Sequence, residues 1–289
     1  MIEVSIIGAG RLGTSLACAL LRKAYRIKAL SCRSYSSAKE SRKIIGEGKA
    51  STDNLQAARQ GELVILCLPD EEMEKVIREL AGSDINWSKK FVFHCSGLLP
   101  SRILKPLKAR GALIASFHPV QSFSQKKTGP EHFKNIYFGL EGNGKALASA
   151  RKLVHQLGGR PIILKPEDKA LYHAACSIAS NFLVVLLDMA VSLLKQIGLR
   201  EEKAFQAILP LVQGTLHNVK KFNMGTSLTG PVIRGEKKSV DSHLEALRAF
   251  PLFEETYRRL ARQALEIAKR EKKLPRQKIS AMKNLLARK

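Results

Sequence analysis

Acidic residues are scarce in this sequence: 25 Asp and Glu stand against 49 Lys and Arg among 289 residues, and none falls between positions 27 and 39. The five cysteines (Cys18, Cys32, Cys67, Cys95 and Cys176) are odd in number, widely spaced and free of any CxxC pair. That argues against a disulfide framework and against a zinc or other metal site, and fits a reducing cytoplasm. Position 1 leads directly into a strand-like run with no charged leader region or cleavage site, so a signal or transit peptide is not expected. Internal repeats of fixed period and low-complexity linkers are also missing. The longest charge-free run, residues 170–187, includes Tyr172, His173, Ser177, Ser180 and Asn181 and is bounded by Lys169 and Asp188. Such polar groups are costly in hydrocarbon, so a buried helix is expected there and no membrane span.

The net charge of +24 raises the question of nucleic acid. Its distribution does not favour that reading. Residues 1–165 carry 27 basic and 13 acidic groups, residues 166–289 carry 22 and 12, and the local excess lies in residues 258–289, with 12 basic against 2 acidic. That last segment reads as an amphipathic helix followed by a short one, with a solvated basic face.

Up to about residue 165, short apolar runs rich in Val, Ile and Leu alternate with helical patterns: EVSIIG, RIKALS, ELVILCLP, KFVFHCSG, ALIASFHP, IYFGLEG and RPIIL. Runs of this kind, buried on both faces and separated by helices, predict an α/β domain with a doubly wound, mainly parallel sheet over residues 1–165. Residues 166–289 show no strand pattern. There, Pro166 and the acids after it, followed by Lys195 and Gly198, are start and stop signals around a helix of about thirty residues. Further helices are expected at 200–222, 239–248 and 252–272, so the second part reads as an all-helical domain on one long central helix.

Gly8, Gly10 and Gly13 form GxGxxG between the first strand and the first helix. In that setting the first glycine permits a tight turn, the second lets a pyrophosphate approach the backbone, and the third lets helix and strand pack closely. Backbone amides of Arg11 and Leu12 would then face the anion at the helix N-terminus. After the second strand, a carboxylate would bind a ribose 2′-hydroxyl and repel a 2′-phosphate. Instead Arg33 stands there among Ser31, Ser34 and Ser36, which predicts NADP(H) as cofactor. Leu68 and Pro69, at the end of a later strand, are expected to line the same site.

Three further stretches concentrate functional groups. FHCSGLL brings His94, Ser96 and Gly97 to a strand end; SFHPVQSF brings His118, Pro119 and Gln121 to the next; YHAACSIASN sets His173, Ser177 and Ser180 on one helix face with Asn181 on its shoulder. LTGPVIRGE adds Thr229, Arg234 and Glu236 in a loop between helices.

Together, GAGRLG, CLPD, HCSG, FHPVQSF, YHAACSIASN and LTGPVIRGE resemble the bacterial Rossmann-like proteins with a C-terminal helical domain of unknown function, filed as NADP oxidoreductases. The resemblance covers nearly the whole chain. More distantly the layout is similar to pyrroline-5-carboxylate reductase and to the 6-phosphogluconate and β-hydroxyacid dehydrogenases, whose helical domain often dimerises. The hydroxyacid enzymes use a Lys and an Asn one turn apart. Here Lys169 and Asn181 are three turns apart, and RGE replaces the RGD associated with the family.

The resemblance and the residues imply an NADPH-dependent reductase of a small carbonyl or imine compound, acting at the domain junction of a homodimer. His118 or His173 is expected as proton donor, in the imidazolium form near an ordinary pKa of about 6.5. Ser96 and Asn181 would orient the substrate, and Arg234 would hold a substrate carboxylate. The alternative is a non-catalytic NADP-binding sensor that docks a partner through its basic C-terminal segment.

Overall fold

Alternate residues of the apolar runs go to opposite faces of one eight-stranded sheet: Ile6 packs on one side and Ile7 on the other, as do Ile65 and Leu66, and Phe93 and Val92. A computed structural model describes residues 1–23, 25–126 and 129–287. The strands are β1 (Ile2–Ile7), β2 (Tyr25–Ser31), β3 (Lys49–Ser51), β4 (Leu63–Leu66), β5 (Phe91–His94), β6 (Leu113–Pro119), β7 (Tyr137–Gly142) and β8 (Arg160–Ile163), in the order β3-β2-β1-β4-β5-β6-β7-β8. All neighbours run parallel except β6 and β7. Between those two the chain carries a single 3-10 turn, Pro130–Phe133, among its described residues, and it returns antiparallel.

The helices are α1 (Arg11–Leu21), α2 (Tyr35–Ile45), α3 (Asn54–Gln60), α4 (Asp70–Ala81), α5 (Lys105–Ala109), α6 (Gly144–Leu157), α7 (Lys169–Ala179), α8 (Asn181–Gln196), α9 (Glu201–Lys221), α10 (Met224–Ser227), α11 (Pro231–Arg234), α12 (Lys237–Leu247), α13 (Pro251–Arg270) and α14 (Arg276–Ala287). Their ends follow side-chain chemistry. Ser34 caps α2 by accepting from the Ser37 amide, Asp53 caps α3 by accepting from Gln56, and α4 opens on Asp70, Glu71 and Glu72.

Two compact units result, Met1–Phe182 and Leu183–Lys289. The division falls later than residue 165 because α7 is tied to the sheet by Lys169 and Tyr172. In the first unit, α1 and α6 cover one face of the sheet, with Leu16, Leu20 and Leu153 against Phe93, Phe117 and Phe138. On the other face, Met73, Ile77, Leu80 and Leu107 meet Val64, Leu66 and Val92 around the buried Trp87. Each such side chain stabilises the fold by roughly 1.5–3 kcal/mol when fully buried. The second unit has its own core, where α12, α13 and α14 bring together Val240, Leu244, Leu265, Met282, Leu285 and Leu286.

The long helix departs from its sequence reading in two ways. Its backbone leaves the helical path at Ser180 (φ −117°, ψ −67°), dividing it into α7 and α8. Expected to be buried, it is mostly exposed in the single chain, with Leu171 77% and Val184 65% accessible. By length and composition alone, residues 166–196 are long and apolar enough to cross a membrane, with a mean hydropathy of 1.9 over an 18-residue window within them. The basic C-terminal segment forms most of α13 and then α14; positions 288 and 289 lie outside the described residues.

Candidate active site

The strand order reverses between β1 and β4, which leave the centre of the sheet on opposite sides of their crossovers. A crevice opens beyond the carboxyl ends of strands at such a point. A cleft of about 820 Å³ lies there, lined by Gly8, Gly10, Leu12, Arg33, Ser34, Leu68 and Pro69, with Cys67 and Cys95 also on its wall.

The three glycines play three physical parts. Gly8 has φ +88°, and a Cβ on it would come within 2.5 Å of the Cys67 carbonyl oxygen. A Cβ on Gly13 would stand 2.5 Å from the Gly8 carbonyl oxygen and 2.9 Å from Ile6, so its absence lets α1 pack on β1. Gly10 is the opposite case. A Cβ there would meet no atom within 4 Å, so the backbone is bared to open space. Next to it α1 begins without a side-chain cap, its first-turn amides unsatisfied in the helix, which is a favourable place for an anion. These features fit the diphosphate of a dinucleotide.

Arg11 is exposed and stands outside the cleft lining. Ser31, assigned to the cofactor from sequence, is fully buried and donates to Asn54 Oδ1 at 2.8 Å, while its carbonyl receives the Gly8 and Ala9 amides at 3.0 and 2.9 Å. It supports the glycine turn from beneath and does not face the cleft. The last strand residue points inward by the strand's own alternation, and Cys32, Arg33, Ser34 and Ser37 beyond it reach the cleft.

Cys95 carries the cleft wall into a polar cluster at the ends of β5 and β6. Lys169, 1% exposed, donates from Nζ to the Ser96 carbonyl at 3.0 Å and to Ser116 Oγ. Burial pulls its pKa down to about 8 although Glu141, Asp70 and Cys95 favour the charge. Glu141 is itself buried and accepts from the Ser101 amide and, at 2.8 Å, from its hydroxyl.

The histidines respond to burial and to this ammonium. His118 accepts or donates at Nδ1 to the Tyr172 hydroxyl at 2.7 Å, and burial first, then Lys169 and His173, bring its pKa down to about 4. The imidazolium expected at His118 near neutral pH is therefore not met. His94 is fully buried, with Nδ1 3.3 Å from the Ser96 amide and Nε2 lacking a well-formed hydrogen bond beside the Pro100 carbonyl; burial and Lys169 bring its pKa to about 3. Burial also holds the Tyr172 proton well above the ordinary phenol range.

The rings of His118 and His173 stand 6.1 Å apart, nearly perpendicular, across Gly97. A Cβ on Gly97 would lie 2.5 Å from His173 Cδ2 and 2.9 Å from His118 Nε2, and one on Gly139 would lie 2.5 Å from the Tyr172 hydroxyl. Both glycines make room for the cluster. Ser96 Oγ accepts from the Leu98 and Leu99 amides at 3.1 and 2.9 Å, which leaves its own proton to donate. Asn181 is exposed at the start of α8, so the penalty for burying its amide does not arise. Arg234 belongs to the second unit, where it pairs with Glu236.

Sequence reasoning thus assembled His118, His173 and Ser96, but missed Tyr172 and Glu141 and gave Lys169 no part. The signal for Lys169 was a cation on the same apolar helix as His173, one turn before it. Tyr172 sits next to His173 and carried no spacing signal of its own.

A dinucleotide-type cleft on a doubly wound sheet, continued by a buried lysine and histidine cluster, defines a Rossmann-type nucleotide-binding protein. Residues 1–119 match the Rossmann-like domain family, and residues 136–264 match a domain of unknown function, DUF2520. The chain belongs to the family that joins these two domains. Protein TM1727 from Thermotoga maritima is 30% identical, with 93% of this chain and 99% of that chain covered and a TM-score of 0.70. The "putative NADP oxidoreductase BF3122" from Bacteroides fragilis is 26% identical over 91% and 97%, with a TM-score of 0.78. A reductive aminase from Aspergillus terreus, solved with NADPH and ethyl-5-oxohexanoate, shares the fold at 16% identity over 99% and 92%, with a TM-score of 0.61. No curated protein matches the chain.

Proposed function

We propose that the protein is an NADP(H)-dependent oxidoreductase that reduces a small carbonyl or imine compound where β5 and β6 meet α7. The observation that carries this reading is the buried Lys169 ammonium with His118 and His173, set directly beyond the cleft wall at Cys95. NADPH, when bound, supplies the hydride. Gly10 and the first-turn amides of α1 would hold its diphosphate, Arg33 and Ser34 would take its 2′-phosphate, and Leu68 and Pro69 would pack against it.

The remaining work falls to side chains of the cluster. With the Tyr172 hydroxyl as donor to His118 Nδ1, the tautomer this reading requires, the imidazole proton stands on Nε2, the nitrogen at Gly97. From there His118, neutral at pH 7, donates a hydrogen bond to the substrate oxygen or nitrogen. Lys169 opposes the negative charge that develops on that atom. His173 delivers the proton, and the Ser96 hydroxyl orients the substrate. Arg234, paired in the second unit, is not used in this step.

A panel of 2-keto acids, imines and β-keto acids, followed by loss of reduced-nicotinamide absorbance, tests the reading. Turnover on one class supports it; a wholly inert panel with NADPH still bound tightly would remove the catalytic part. The exposed apolar side of residues 166–196 is proposed to be covered by a second copy of the chain, giving a homodimer. Sedimentation that finds only a 32.0 kDa species at micromolar concentration would refute that. A reducing, cytoplasmic setting is proposed with it, on the odd number and wide spacing of the five cysteines.

A further inference from the structure

We propose that Lys126, carried by the loop after β6, is a second cation of the 2′-phosphate site and sets the preference for NADP(H) together with Ser37. The proposal rests on the cofactor reading above and extends it to a residue far away in sequence. Lys126 Nζ donates to Ser37 Oγ at 2.8 Å and to Glu40 at 2.6 Å, and only weakly to the Ser37 carbonyl at 3.4 Å. Ser37 stands in the first turn of α2 and lines the dinucleotide cleft with Arg33 and Ser34.

An ammonium has three donors and no acceptor. Two of those of Lys126 are well placed, and the third, spent on a long contact, is the one an arriving phosphate oxygen replaces. The same rule fixes Ser37: its oxygen accepts from Lys126, so its own proton is left to donate towards the cleft. Lys126 also answers an acid on α2. Glu40 is the first carboxylate after the acid-free stretch, and it would repel a 2′-phosphate unless neutralised.

The lysine is held in place for this. Its side chain is 20% exposed, and its carbonyl accepts from Ser15 Oγ on α1 at 3.1 Å. The strand that precedes the loop ends at His118 and Pro119, so one segment of chain serves both the cofactor phosphate and the imidazole.

The test titrates NADPH and NADH into wild type, Lys126→Met, Arg33→Ala and Lys126→Met/Glu40→Gln. Lys126→Met should weaken NADPH on the order of tenfold and NADH less than about twofold, as expected for one charge-assisted contact. The double variant should regain part of the loss, since it removes the unscreened carboxylate. Calorimetry with adenosine 2′,5′-bisphosphate and with AMP should show the same split. Equal losses for both cofactors would make Lys126 a loop anchor only, and no loss for either would also overturn the proposal. A wild type that binds NADPH and NADH alike, with Arg33→Ala silent, would instead sink the NADP reading itself, and the role of Lys126 with it.

Discussion

Replacing Lys169 with Met separates function from stability in a way the structure makes quantitative. The amine ionises near 10.5 in the unfolded chain and near about 8 in the fold, a difference worth about 3 kcal/mol at 1.36 kcal/mol per pKa unit. The sign follows from proton counting. Between about pH 8 and 10.5 the native amine is neutral while the unfolded one is still protonated, so the unfolded state binds more protons and stability rises with pH. Below pH 8 both are charged, and the full penalty of burying the ammonium is present. Met has similar length without the charge, but it leaves the Ser96 carbonyl and the Ser116 hydroxyl short of a donor, costing about 1–3 kcal/mol.

At neutral pH the two effects nearly cancel, so Lys169→Met should be as stable as wild type to within about 2 kcal/mol. Raising the pH through the window should then favour wild type over the variant by about 3 kcal/mol, all other ionisations being common to both. Urea unfolding of both proteins at about pH 7 and about pH 10.5 measures this directly. Turnover in the variant should fall by about 10²-fold or more, the scale of a lost electrostatic partner for developing charge. A variant destabilised by several kcal/mol at neutral pH, with a gap that does not move with pH, would make Lys169 a structural strut and refute the reasoning.

Other consequences can be measured on the same protein. Arg33→Ala should weaken NADPH by roughly 1.5–3 kcal/mol and leave NADH nearly unchanged, as calorimetry would show. The pH profile of turnover should carry no limb from His118 near 6.5, because that group ionises near 4, and should fall as pH rises through about 8, where Lys169 loses its charge; a flat profile across that upper range contradicts the assignment. Gly97→Ala should lower turnover by about 10²-fold by displacing the two imidazoles, with NADPH affinity almost intact and the fold destabilised by about 1–3 kcal/mol.

Much of this fold was legible because its signals are local. GxGxxG between a strand and a helix, and apolar runs at regular intervals, need no tertiary partner to be read. What was missed depends on partners. Residues 49–51 have no apolar run and are a strand only because they pair with β2. The direction of β7 leaves no mark on periodicity, since a strand alternates alike in either sense. Ser31 and Ser34 look equivalent in sequence, yet one ends a strand and is sealed beneath the glycine turn, while the other caps α2 at the cleft. The break at Ser180 has no Gly or Pro to announce it.

The polar cluster shows why residue types alone misassign protons. Two histidines at strand and helix positions suggest an imidazolium acid, because the ordinary histidine pKa lies near neutrality. For His118 the geometry reverses that. Burial first, and then the ammonium of Lys169 held by the Ser96 carbonyl and Ser116, make both His94 and His118 give up their protons far below neutrality. The cluster holds one cation and keeps these two rings neutral, since adding a second charge would set like against like in a poorly solvated space. Lys169 thus adds its charge to burial in keeping these two rings neutral, and its place at the first turn of α7, in the same unit as the sheet, is what lets it do so.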